Sequence, residues 1–356
     1  MKRVIINILA IIALLACTPI ESNETGLKPI RLSVVTGEVE SRAYLYGSDL
    51  TKEKEFGFNA YLIDGNNTEY LNHTLVSYLN GGWYFRDQVY DQGKLLDYYW
   101  PNDHNVNFLA YMPYDMTKSV VNDFSFTDDS GISFNCDLST SENNRTIDDT
   151  KNNTRTIKHE FVYAYRHDCE RSESGEDVVH LRFVHPMAAI KFKLSQSHRD
   201  LKIHSITLSG LHNAGSYTNA EDTYENYWMT QKNQDALTYN HWTPTPSKVG
   251  SMTIKYEKSV PTDINYYSLI GGPYLVIPQS LEGVKLTLNY SWDKNQKINT
   301  TPTAITTEEI PAWQPGKVYT YTLNLGDNRE EILFKATVED WEKGEDDGYE
   351  NQYDVK

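Results

Sequence analysis

Lys317-Val318-Tyr319-Thr320-Tyr321-Thr322-Leu323-Asn324-Leu325 is the stretch whose pattern settles the fold class. Tyr319, Tyr321, Leu323 and Leu325 fall on one side of an extended chain, with Thr320, Thr322 and Asn324 on the other. This is the period of two of a half-buried strand, because successive side chains leave opposite faces of the pleat. The alternation returns at Phe56, Phe58, Ala60 and Leu62, at Val106, Phe108, Ala110 and Met112, and at Ile190, Phe192 and Leu194 with Lys191 and Lys193 between. It returns again at Leu286, Leu288, Tyr290 and Trp292. Between Leu201/Ile203 and Ile206/Leu208 the phase changes, which predicts a bulge near Ser205. The same counting finds no amphipathic helix longer than about two turns. Turn signals at Asp64-Gly65, Asn80-Gly81-Gly82, Gly271-Gly272-Pro273 and Gln314-Pro315-Gly316 punctuate the runs as in an all-β protein built of sandwiches.

The chain of 356 residues is long enough for two such domains. The charged, small-residue stretch Cys169 to Asp177 is the boundary candidate, dividing the body into β-sandwiches at 27–175 and 176–356. Two polar stretches, Asp137 to Lys158 and Asn213 to Gly250, exceed hairpin connections and read as insertion loops. A net charge of -16 repels phosphate backbones, so nucleic acid is not expected as a partner. The 26 Tyr favour an extracellular type of β protein, since the residue suits strands and half-wet surfaces.

At the N-terminus, Lys2 and Arg3 precede an apolar run from Val4 to Ala16 that stops at Cys17. The run is too short to span a bilayer and reads as a signal peptide, residues 1–16. Leu14-Leu15-Ala16-Cys17 looks like a bacterial lipobox, making Cys17 the lipidated first residue of the mature protein and 17–26 a polar tether. The expected location is therefore the outer membrane and cell surface, with the lipid anchor holding the chain to the membrane.

Templates for chemistry fail. The chain has no G-x-S-x-G elbow, H-E-x-x-H pair, phosphate loop or dinucleotide fingerprint, so no enzyme, cofactor or metal is expected. His167-Asp168-Cys169-Glu170 holds nucleophile, base and carboxylate side by side, but neighbours along a strand point apart. His180 and His185 sit on opposite faces of one extended segment and read as structural histidines. Cys136 and Cys169 have two readings, a disulfide that an exported compartment permits or two buried free thiols. The seven Trp raise glycan stacking as an alternative to core packing.

Five segments carry a family resemblance: Tyr99-Trp100-Pro101 followed by Val106 to Pro113 (VNFLAYMP), His185 to Phe192 (HPMAAIKF), Pro315 to Leu325 (PGKVYTYTLNL), and Val338 to Gly344 (VEDWEKG), together with the lipobox. In order and spacing they resemble the fimbrillin-like lipoproteins of Gram-negative anaerobes, the type V pilin superfamily. The resemblance implies two tandem transthyretin-like β-sandwich domains after a lipoprotein signal peptide, and a structural or accessory subunit, a tip adhesin included, of a surface fimbria assembled by strand exchange. It implies other fimbrial subunits as partners, and a host or bacterial surface ligand for an adhesin. It also implies removal of the first strand by an arginine-specific protease. Ile30 to Val35 reads as that strand, with Ile30, Leu32 and Val34 alternating, and Arg42 is the expected cut site with Arg31 the alternative. The alternative function is a surface glycan-binding lipoprotein that does not polymerise.

Overall fold

The structure, a computed structural model, describes residues 28–34, 44–45, 48–49, 55–79, 81–86, 98–127, 131–150, 160–171, 178–195, 201–219, 238–259, 268–292, 296–325 and 332–340. The signal peptide, Cys17, the tether, Arg42 and the C-terminal stretch from Gly348 lie outside them. In chain order the strands are β1 (Arg31–Val34), β2 (Tyr44–Leu45), β3 (Ser48–Asp49), β4 (Glu55–Leu62), β5 (Thr68–Leu79), β6 (Gly82–Phe85), β7 (Val106–Met112) and β8 (Val121–Thr127). There follow β9 (Gly131–Asp137), β10 (Arg145–Asp148), β11 (Val162–Cys169), β12 (Val178–Leu181), β13 (Ala188–Leu194), β14 (Lys202–His212), β15 (Ala214–Asn219) and β16 (Trp242–Pro244). The last are β17 (Val249–Ser259), β18 (Ser268–Val276), β19 (Lys285–Trp292), β20 (Gln296–Asn299), β21 (Thr303–Ala304), β22 (Lys317–Leu325) and β23 (Ile332–Asp340). The protein is all-β, its sheets packed face to face as sandwiches.

A seven-stranded sheet runs β11-β7-β4-β5-β6-β1-β12. Its ends meet, since Val184, just past β12, donates its N–H to the Tyr163 carbonyl of β11 at 2.8 Å. The sheet thus folds over on itself, and Phe56, Phe58, Val106, Phe108, Ala110, Val162 and Leu181 fill its interior. On the opposite face Leu109, Tyr111, Tyr163 and Tyr165 pack against a second sheet, β16-β15-β9-β8, through Phe134, Tyr217 and Trp242. Every residue of β7 is consequently buried, because both of its faces are covered.

The C-terminal sandwich sets a sheet of order β10-β17-β14-β19-β20, with β21 also on β19, against β18-β13-β22-β23. Ile206, Leu208, Ile254 and Leu288 from the first meet Ile190, Phe192, Tyr321 and Leu323 from the second. The opposite side of β13, β18 and β22 turns Ala189, Leu275 and Val318 into the same core as Phe134 and Tyr217. This explains why Thr320 is buried despite lying on the polar side of the β22 alternation. The register of β14 shifts between Ile203 and Ser205 against both β17 and β19, where the phase change in the sequence predicts a bulge.

The sheets cross the boundary expected between residues 175 and 176. β12 follows that boundary yet pairs with β1, β10 precedes it yet joins β17, and β15 and β16 lie far beyond it yet extend β9. The two polar stretches expected as insertion loops supply three of these crossing strands. In β10 the inward residues are Arg145 and Ile147, and the charge of Arg145 hides the alternation; its Nη1 donates to the Leu275 carbonyl at 2.5 Å. In β15 the one large inward side chain is Tyr217, flanked by Gly215 and Asn219.

Candidate functional site

Lys28 to Val34 enters the seven-stranded sheet as an interior strand. β1 runs parallel to β12, with Arg31 to Val34 opposite Val178 to Leu181 in register, and antiparallel to β6, with Leu32 opposite Trp83. Upstream, Ile30 donates its N–H to the Tyr98 carbonyl at 2.6 Å and Trp100 donates to the Lys28 carbonyl at 2.8 Å, placing Pro29 opposite Tyr99. Both edges of this segment are hydrogen-bonded to other strands.

The side chains follow the predicted alternation. Ile30 is 1% exposed and Leu32 9%, Val34 is half-buried against the same core, and Arg31 points to solvent. Burial of Ile30 and Leu32 stabilises by about 1.5–3 kcal/mol each. The walls of the slot are aromatic: Phe56 lies 5.0 Å from Trp83 and 5.5 Å from Phe183 between ring centroids, and Phe85 lies 5.0 Å from Tyr98. Without β1, these rings and the facing backbone groups of β6 and β12 would stand open. A short segment close to one chain end, inserted between two strands and holding apolar side chains in an aromatic slot, is suited chemically to replacement by a similar strand from another molecule.

The other sequence candidates do not converge on a site. His167 and Asp168 are exposed, Asp168 accepting from Asn105 Nδ2 at 2.7 Å, while Cys169 turns toward the interior of the first sheet. Burial raises the Cys169 thiol to about 11, the wrong direction for a nucleophile. No disulfide joins Cys136 and Cys169, because β9 directs Cys136 into the core between sheets while Cys169 belongs to the folded-over sheet. Cys136 should react slowly with an aromatic disulfide reagent in the folded, lipid-free protein and promptly in guanidinium; prompt labelling of Cys136 without denaturant would contradict its burial. Trp100, Trp242 and Trp313 are buried, and Trp83 and Trp292 pack against the cores. Among the described residues no group of three or more His, Cys, Asp or Glu is placed to hold a metal, and no helix is long and apolar enough to cross a membrane.

One buried pair escaped sequence reasoning. His185 Nδ1 lies 3.0 Å from Oε1 of Glu160, which is completely buried, and Glu160 Oε2 has no hydrogen-bond partner. Desolvation pushes the Glu160 carboxyl above its ordinary range, partly offset by His185. The residues 25 positions apart meet because Tyr163 and Val184 pair across the closed ends of the sheet. No local signal in the sequence links them.

Comparison with known proteins bears on the whole arrangement. Among curated proteins none matches. A candidate cell adhesion protein from Bacteroides uniformis ATCC 8492 shares the fold at a TM-score of 0.50 and 15% identity, over 89% of this chain and 98% of that one. A fimbrial protein from Bacteroides vulgatus ATCC 8482 is similar at 0.49 and 18%, over 88% and 99% of the two chains. A candidate cell adhesion protein from Bacteroides ovatus ATCC 8483 is similar at 0.48 and 16%, over 89% and 99%. At 15% identity the first of these likenesses is one of fold alone. The fimbrillin-like family, in contrast, matches the sequence itself across residues 41–341, and the chain belongs to that family.

Proposed function

We propose that this fimbrial subunit is assembled at the cell surface by exchange of its first strand. The observation that carries the reading is the position of β1, an interior strand supplied by a segment near the N-terminus and bonded on both edges. Its removal exposes a slot that a neighbouring subunit's strand fills, with three apolar side chains in place of Ile30, Leu32 and Val34. Export as an outer-membrane lipoprotein through Cys17 precedes this step, and cleavage after Arg42 releases the strand. Arg31 is the poorer substrate although its side chain is exposed, because its backbone is part of the β1 ladder and a protease needs an extended, unpaired segment. Trp100, Trp242 and Trp313 are buried and so offer no face to the glycan-binding alternative.

Treating the lipid-free protein with an arginine-specific protease should give one early cut near Arg42, then a ladder of higher species on a mildly denaturing gel. A product that is cut there and stays monomeric at every concentration would overturn the exchange mechanism.

A further inference from the structure

We infer that Ser291 is an activated nucleophile that takes acyl groups from carboxylic esters, with His204 as its base and Glu257 as the residue that positions the base. The inference stands apart from strand exchange, since the three residues lie on β19, β14 and β17, adjacent strands of the C-terminal sandwich. His204 Nε2 lies 3.0 Å from Ser291 Oγ, and His204 Nδ1 lies 2.8 Å from Glu257 Oε2. A hydroxyl, an imidazole and a carboxylate in that order form the relay by which an ordinary serine becomes nucleophilic.

Two distortions of the sheet bring the three together. Ile203 and Ser205 face Tyr290 and Asn289, which are consecutive, so His204 is the extra residue of a bulge against β19. Against β17 the same two residues face Lys258 and Lys255, and Glu257, between them, holds φ at +50° in the left-handed region. Bulges re-aim side chains, and a non-glycine residue in that region costs about 1–3 kcal/mol that its surroundings must offset. Lys202 supplies part of that offset, its Nζ lying 2.7 Å from Glu257 Oε2, and Lys297 lies 3.8 Å from the other oxygen. Hydrogen bonds from Lys202 and then His204 hold the Glu257 carboxyl at about 2, well below its ordinary range. An ionised carboxylate only accepts, so a neutral His204 gives its Nδ1–H to Glu257 and turns the Nε2 lone pair to the Ser291 hydroxyl. Lys202 and Lys297 are also the direct partners of Ser291 across its two ladders, which sets both side chains on its face of the sheet. Their charge suits the oxyanion that forms when a carbonyl is attacked there. Ser291 and His204 are 7% and 8% exposed, so substrate enters as these two exposed lysine side chains move aside.

In the acyl transfer the Ser291 Oγ–C bond forms and the ester C–O bond breaks. The hydroxyl proton passes to His204 Nε2 and from there to the departing alkoxide, which leaves as the alcohol. Water, giving its proton to the freed Nε2, then attacks the acyl-serine; the carboxylic acid leaves and Ser291 recovers its proton.

The test uses an alkyl fluorophosphonate, which an activated serine attacks through phosphorus with loss of fluoride. The folded full chain should form one adduct, mapped by peptide mass to Ser291, at least about a hundredfold faster than the guanidinium-unfolded chain. Ser291→Ala should abolish the adduct, and His204→Gln should slow it at least about a hundredfold, with the melting temperature as the check on folding. Glu257→Gln should remove a downfield imidazole N–H proton resonance belonging to His204, a signature that loss of packing alone does not erase. Absence of the adduct, adducts scattered over other serines, or labelling as fast in a folded His204→Gln variant would overturn the nucleophile. Should His204→Gln fail to fold, the folded and unfolded parent decide the matter, and equal rates would overturn it equally.

Discussion

Truncating Ile30 to alanine should destabilise the folded chain by about 2–5 kcal/mol, the range for removing a large aliphatic side chain from a core that relaxes incompletely. Ile30 is 1% exposed and lies in the same core as Phe58, Phe85 and Trp100. Because the slot is bounded by strands on both edges, it cannot collapse sideways without breaking the β6 or β12 ladder. Arg31→Ala, on the exposed face, should change stability by less than about 0.5 kcal/mol. Urea midpoints for the two variants should therefore separate clearly. Equal effects would mean that β1 is not held by its inward face, and the apolar slot would lose its role.

His185→Ala should be the most damaging single change at the seam, costing about 1–3 kcal/mol, because it leaves the fully buried Glu160 carboxyl without its hydrogen-bond partner. The pH dependence carries the diagnosis. Glu160 has a folded value raised above 4.5, so the folded chain keeps a proton that the unfolded chain has released. The contribution of this group is complete below 4.5 and is lost as pH rises through the folded value. Glu160→Gln removes the titration and should flatten that loss, whereas His185→Ala should steepen it by removing the group that favours the carboxylate. Urea midpoints measured in steps from pH 4.5 to 8 would show this. Parallel curves for wild type and Glu160→Gln would mean that Glu160 does not hold the proton.

Much of the candidate site was legible in the chain. Ile30, Leu32 and Val34 alternate over a strand between polar flanks, and the structure places them inward with Arg31 outward. The Ser205 bulge was legible for the same reason, since a slip of one residue reverses every side chain that follows. Glu160 was not legible, an ordinary polar residue until the ends of the sheet close and bring it to His185, which read only as a structural histidine.

The sequence by itself determined that the chain folds as strands, which segments those are where the alternation is apolar, and which face of each turns inward, because these follow from the two-residue repeat of an extended backbone. Only the tertiary structure decided the partners. Alternation says which way a side chain points and nothing about the strand alongside, which depends on shape and on burial between segments distant in sequence. So β10, with Arg145 turned inward, crosses to β17; β15 and β16 return to β9; and β12, beyond the expected boundary, takes β1 as its neighbour. That last pairing makes a slot of the first strand's place, and the backbone hydrogen bonds that specify it are available to any sequence of the right alternation.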